Sequence, residues 1–300
     1  INSVIEVLKS DFLTTGPKVK EFEEKIASYC GAKYCVAVSN GTAALHLASL
    51  VLLKENDKVL TTPNSFLATS NSILYVNAKP IFVDIKEDGN IDLDLCEEEL
   101  KKDSSIKAIY VVHFSGNPVN QTKLKYLKDT YNIKILEDCA HSIGAVFEGI
   151  KAGSCKNSDI SIFSFHPVKQ ITTGEGGAIT TNSKEAYETL LLLRGHGMTP
   201  KPDIAPCFYD MVVLGFNYRL TDISCALGLS QLKKLDSFLY LRRSIAKRYD
   251  DFFSEIDFIK PLYDFTNNSA YHLYVIKIDF EKLNITKKEF VLRMKENSIG

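Results

Sequence analysis

The chain has 300 residues, 45% of them hydrophobic and 24% charged, with 36 Lys+Arg against 37 Asp+Glu and a formal net charge of −1. That length suffices for one large domain plus part of a second, and the balanced charge argues against a nucleic-acid or anionic-membrane surface as the organising feature. Seven scattered cysteines form no C-x-x-C pair and are odd in number, which argues against a disulfide framework or a zinc site and fits reduced thiols in the cytoplasm.

No signal peptide, long apolar span or lipidation signal is present. Residues 4–9 read as a short helix, and Thr14-Thr15-Gly16-Pro17 as a turn. Val19, Phe22, Ile26 and Tyr29 recur at a helical period over 18–29, and Gly31 stands where a C-cap favours glycine. Residues 34–39 form a short apolar strand. Asn40-Gly41-Thr42 then turns into a helix over 43–53. A strand–turn–helix of this kind leaves N–H groups free at Thr42 and Ala43, at the positive end of the helix dipole, where a phosphate would bind. Taken alone it is equally an ordinary βα turn.

Strands are expected over 58–62, 81–84, 107–113 and 133–138, separated by helices over 66–75, 95–100 and 122–130. This alternation predicts an α/β fold with a mostly parallel sheet covered on both faces. His113, at a strand end, reads as a structurally satisfied histidine. A hairpin is expected around Gly149 and a strand over 159–163. Residues 183–194 read as a helix, 195–208 as a mobile, Pro-containing surface loop, and 222–235 and 240–253 as two long helices. The basic run Arg242, Arg243, Lys247 and Arg248 reads as a solvated helix face. Residues 271–278 alternate like a strand that opens a smaller α+β domain.

Two stretches carry the chemistry. Ser161-Ile162-Phe163-Ser164-Phe165-His166-Pro167-Val168-Lys169 brings an apolar strand to a lysine, and the loop runs on through Gly174-Glu175-Gly176-Gly177 into a second strand. A lysine here either snorkels into water or serves as the Schiff-base amine that pyridoxal phosphate (PLP) chemistry requires. Upstream, Ile135-Leu136-Glu137-Asp138 ends a buried strand on an acid. That is where open α/β sheets place ligand-binding groups, and an aspartate against the pyridine nitrogen of PLP keeps the ring an electron sink. Asp138 and Lys169 in this order favour the Schiff-base reading. A Rossmann dinucleotide site is disfavoured, because no G-x-G-x-x-G follows the first strand.

Five segments occur in order: Asn40-Gly41-Thr42-Ala43-Ala44-Leu45, Glu137-Asp138 with His141, Ser164 to Lys169, Glu175-Gly176-Gly177, and Gly215-Phe216-Asn217-Tyr218-Arg219-Leu220-Thr221-Asp222. Together they resemble the DegT/DnrJ/EryC1/StrS sugar aminotransferases, PLP enzymes of fold type I, across essentially the whole chain. His141 and the His-Pro-Val-Lys and Thr-Thr-Gly-Glu-Gly-Gly segments most resemble members that aminate C4 of a sugar nucleotide in pseudaminic acid synthesis.

The resemblance implies an aspartate-aminotransferase-like fold, with a large PLP domain over 1–235 and a small α+β domain begun over 236–300. Family members usually run longer at both ends, so the chain is expected to be a fragment. The resemblance also implies L-glutamate as amino donor and a UDP-linked 4-keto-6-deoxy-N-acetylamino sugar as acceptor. Lys169 and Asp138 would be catalytic. Thr42, Ala43, Phe66, His141, Ser164 and Asn217 would bind the cofactor, Phe66 by stacking on the ring and Asn217 in trans across a homodimer. No metal, nucleic acid or membrane is implied. Other keto sugars, a dehydratase and a non-catalytic regulatory protein stay open as alternatives.

Overall fold

The computed structural model describes residues 1–299. Helices α1 (Asn2–Leu8) and α2 (Pro17–Cys30) precede strand β1 (Tyr34–Val38). Helix α3 (Gly41–Leu52), β2 (Lys58–Thr61), α4 (Leu67–Leu74), β3 (Lys79–Phe82), α5 (Leu93–Lys102), β4 (Ile106–Val112), α6 (Gln121–Tyr131) and β5 (Lys134–Asp138) follow. A small hairpin, β6 (Val146–Phe147) with β7 (Ile150–Lys151), leads to β8 (Ile160–Ser164), β9 (Gly177–Thr181) and α7 (Lys184–Arg194). Beyond them lie the hairpin β10 (Met198–Pro200) and β11 (Tyr209–Met211), then α8 (Asp222–Leu232) and α9 (Leu235–Phe253). The last elements are β12 (Ile259–Pro261), β13 (Ile276–Ile278), α10 (Phe280–Leu283) and α11 (Lys287–Glu296).

Seven strands make one sheet in the order β1-β9-β8-β5-β4-β2-β3. Every pairing from β8 to β3 is parallel, and β9 alone runs antiparallel to both its neighbours, β1 and β8. Strand β4 is buried at all positions but one, as a parallel strand covered on both faces must be. Alternation sorts the side chains: Phe163 joins Phe22, Ile26 and Leu229 on one face, while Ile160 and Ile162 join Leu47 and Leu190 on the other. The α/β architecture expected from the alternating pattern is the one observed.

Four local expectations are corrected. Residues 198–211 contain a paired hairpin, with Met198 opposite Met211 and Pro200 opposite Tyr209. The prolines read as breakers, but Pro200 sits at a strand end where its missing N–H breaks no ladder. Helix α9 starts at Leu235 because Leu235, Leu239 and Ala246 bury one continuous face. Residues 271–275 are not strand: Tyr271 adopts φ 40°, and only Ile276–Ile278 pairs, with Ile259–Pro261. Finally, Arg242 and Arg243 are half-buried, not solvated. Arg242 donates to the Tyr271 carbonyl at 3.1 Å and Arg243 to the Ser269 carbonyl at 3.0 Å, which clamps the 269–272 segment against the large core.

Strand β1 is an edge, and its outward backbone groups are capped by side chains. Glu23 accepts from the Ala37 N–H at 2.8 Å and from Arg194 at 2.5 Å, and Arg194 also donates to the Ala37 carbonyl at 2.8 Å. Burial pushes the Glu23 carboxyl up, against the pull of the Arg194 charge. The clamp closes an edge that would otherwise template foreign strands, and it fixes the strand that feeds the Asn40 turn. Arg194→Met leaves the buried Glu23 without its charge partner, so we expect a loss of roughly 3–5 kcal/mol in urea denaturation. Adding Glu23→Gln should recover part of that loss.

Candidate active site

The C-terminal ends of β1, β5 and β8 open into one cavity of about 720 Å³. Asp138 ends β5, Ser164 ends β8, and the Asn40 turn leaves β1. Because β9 runs backward beside β8, the chain returns from the Lys169 loop into the sheet directly opposite Ser164. Thr42, Ala43, Phe66, Asp138, His141, Ser164 and Lys169 all line this cavity, whereas Asn217 does not.

Asp138 is buried. Its Oδ2 accepts from the Thr69 hydroxyl at 2.7 Å, and its Oδ1 accepts from the Ala140 N–H at 3.0 Å. Burial pushes its carboxyl above the usual range, and these two donors and nearby Lys169 partly oppose that. Lys169 sits half-buried in a self-bonded loop. Its N–H donates to the His166 carbonyl at 2.9 Å, and the Thr173 N–H and Thr172 hydroxyl both bond the Phe165 carbonyl, at 3.0 and 2.9 Å. Burial lowers the Lys169 amine and Asp138 raises it, with a net lowering.

Helix α3 begins at the cavity. The Asn40 side chain caps the Ala43 N–H at 2.8 Å, so Ala43 lines the site but its donor is engaged. The free first-turn donors are Gly41 and Thr42. A Cβ on Gly41 would come within 3.0 Å of the Ser164 side chain. The glycine lets backbone N–H groups and the Ser164 hydroxyl converge on one spot, an anion cradle at a helix N-terminus. Phe66 N-caps α4 and is 74% exposed, an apolar face turned to the cavity.

His141 was expected at the site, but its companion was not. The His141 ring lies 4.2 Å from that of His272, and both Nδ1 atoms are buried with no partner among the described residues. Burial lowers His141 to about 4 and His272 to about 3, with Lys169 and, for His272, the other ring adding to it. No local sequence signal points to His272, because the α9 arginine clamp is what brings it there. An orphaned ring nitrogen, a free helix N-terminus, a buried acid and an amine on one cavity fit the groups of PLP. His113, Glu137 and Cys139 also cluster. There, Glu137 accepts from His113 at 2.8 Å and Gln121 at 2.7 Å, and the His113 Nδ1 accepts from the Val119 N–H at 2.9 Å. Both ring nitrogens and the carboxylate are engaged, a structural network tying β4 to β5.

The 214–222 loop carries two aromatic rings, Phe216 and Tyr218, and neither stands free. They stack on each other at 5.1 Å and pack beside His46, whose Nδ1 lies 3.2 Å from the Tyr218 hydroxyl. The exposed residues of the loop are Leu214, Asn217 and Thr221.

A family model described as the DegT/DnrJ/EryC1/StrS aminotransferase family matches residues 1–300. The chain is 43% identical over 303 residues to the UDP-4-amino-4,6-dideoxy-N-acetyl-beta-L-altrosamine transaminase of Campylobacter jejuni, covering 100% of this chain and 79% of that protein. Among solved structures it resembles Helicobacter pylori PseC, an aminotransferase involved in the biosynthesis of pseudoaminic acid, with a TM-score of 0.90 and 34% identity over 99% of this chain and 79% of that one. It also resembles Spr1654 of Streptococcus pneumoniae in its PLP form, with a TM-score of 0.84 and 30% identity over 97% and 79% of the two chains.

The histidine pair makes stability depend on pH. Unfolded histidines titrate near ~6.5, and the folded values are about 4 and about 3, so the unfolded chain binds more protons within that window. Stability from the pair is therefore complete above the unfolded value and falls as pH drops toward the folded ones. Urea titrations of cofactor-free protein between neutral and acid pH should show a shallower acid slope in His141→Gln/His272→Gln than in wild type. Asp138 and Glu23, whose carboxyls are raised, act in the opposite sense, but in both proteins, so the difference reports the histidines.

Proposed function

The chain belongs to the DegT/DnrJ/EryC1/StrS aminotransferase family, and we propose that it moves an amino group from L-glutamate to C4 of a UDP-linked 4-keto-6-deoxy-N-acetylamino sugar, the pseudaminic acid type of reaction. It is a PLP-dependent sugar-nucleotide aminotransferase. The observation that carries the assignment of roles is the shared cavity of Lys169, Asp138 and the α3 N-terminus.

When bound, PLP supplies an electrophilic carbon and a ring that takes up the electrons left by a departing proton. Lys169 Nζ would hold the cofactor covalently, and as a neutral amine it would serve as the base for the donor's α-proton. A base must be neutral, and burial lowers Lys169 toward that state. The Asp138 carboxylate would keep a proton on the ring nitrogen, Gly41, Thr42 and Ser164 would take the phosphate with Ala43 shaping the wall, and Phe66 and the free Nδ1 of His141 would contact the ring. Because Lys169 is present, amination is favoured over the dehydration that family members with histidine at this position carry out.

We assign the active form as a homodimer in which Asn217 of one subunit reaches the phosphate of the other. Asn217 is exposed and lies outside its own chain's cavity. Phe66, which lines the cavity, and its chain neighbour Leu67 are each at least 70% exposed, an apolar edge suited to an isologous partner. Residues 1–235 are the proposed PLP domain and residues from 236 on are assigned to the small one. Among the described residues no helix is long and apolar enough to cross a membrane, and the seven free thiols suit the reducing cytoplasm in which we place the enzyme.

Incubation with PLP, glutamate and a panel of UDP-4-keto sugars should yield a 4-amino sugar detectable by mass spectrometry. Lys169→Ala should abolish that product, and borohydride trapping followed by peptide mapping should label Lys169 in wild type. A label on any other lysine would refute the assignment. For the dimer, mixing Lys169→Ala with Asn217→Ala subunits under exchange should restore part of the activity, because one site of the mixed dimer is then intact. No recovery despite proven exchange would place Asn217 outside a shared site.

A further inference from the structure

Asp138 has one partner that none of the sequence motifs includes. Thr69 lies fully buried in α4, and its hydroxyl donates to Asp138 Oδ2 at 2.7 Å. Helical threonines usually turn their hydroxyl back onto a carbonyl of the preceding turn. Here that turn's bond is made by the backbone, Thr69 N–H to Phe66 carbonyl at 3.2 Å, and the hydroxyl is spent across the cavity wall on another element. The carboxylate is thus held at both oxygens, by Thr69 on one and by the Ala140 N–H at 3.0 Å on the other. Two donors on opposite oxygens fix the plane of the carboxylate and still leave lone pairs for a third donor.

Thr69 lies in the first turn of α4, three residues after the N-cap Phe66 that lines the cavity, so the start of one helix supplies both the aromatic and the grip on the acid. Helix α4 packs on α3, whose N-terminus forms the anion cradle. We propose that Thr69 is a positioning residue that aims the Asp138 carboxylate at the cofactor's ring nitrogen and keeps it ionised. The proposal rests on the reading above that Asp138 faces that nitrogen. Its chemistry is direct: a hydroxyl donating to a carboxylate favours the charged form, opposing the burial that raises Asp138.

The test compares Thr69→Val, which keeps shape and loses the donor, with Thr69→Ser, which keeps the donor. In cofactor-free protein, carbon-13 NMR titration of the Asp138 carboxyl should show its pKa raised by about one pH unit or more in Thr69→Val and restored in Thr69→Ser. In the loaded enzyme, the pH midpoint of the Lys169-linked absorbance should also move in Thr69→Val. Bleaching by glutamate should slow about tenfold, with little change in the glutamate KM. If Thr69→Val folds poorly, Thr69→Ala should give the same shifts. Wild-type titration and bleaching in the donor-less variants, or a Thr69→Ser variant as impaired as Thr69→Val, would overturn the proposal. Asp138→Asn separates the two ideas. If it bleaches at the wild-type rate, the reading of Asp138 itself fails. If it is slow while Thr69→Val is normal, only the role of Thr69 fails.

Discussion

A buried carboxylate and a half-buried amine sharing one cavity is the constraint on which the rest of this structure depends. Burial disfavours the charge on each, raising Asp138 and lowering Lys169, while each group supports the charge of the other. Such a pair persists only when other donors hold it in place. The structure supplies them: Thr69 and Ala140 on the acid, and a loop closed by its own backbone bonds around the amine. The second layer is also polar and closed, with Glu137 held by His113 and Gln121 directly behind Asp138.

The sheet makes this pair possible. Parallel strands end together, so Asp138 and Ser164, on adjacent strands, reach the same edge. The reversed strand β9 lets the loop carrying Lys169 return at once into the sheet beside β8 and β1. At that crowded corner Gly177 lies where a Cβ would meet the Asn40 carbonyl at 2.5 Å, so only glycine lets the anion cradle approach the Lys169 loop. The Glu23–Arg194 clamp on the far side of β1 then fixes the edge from outside.

Much of the site was legible because its signals are local. A strand ending in Glu137-Asp138, a strand-to-loop lysine and an Asn40-Gly41-Thr42 helix start are each ambiguous alone, and it is their order along the chain that points to one candidate site. What was missed or misread involves long-range partners. Nothing local in the 214–222 loop shows that its aromatics pack beside His46 in α3. Arg242 and Arg243 read as a solvated face, yet they bond carbonyls on a segment that threads back to the sheet. Thr69 carried no signal at all, since a buried helical threonine looks the same whether it bonds its own helix or another element.

The sequence by itself determined the alternation of strands and helices and most of the caps and turns, and it put forward Asp138 and Lys169 as the candidate acid and amine. These follow from periodicity and from the few residue types that the chemistry admits. Only the tertiary structure decided that His272 lies against His141, that Thr69 grips Asp138, and that Asn217 lies outside its own chain's cavity. Those facts depend on contacts between residues far apart in the chain, and neither propensity nor spacing encodes which distant side chain will complete a buried group's hydrogen bonds.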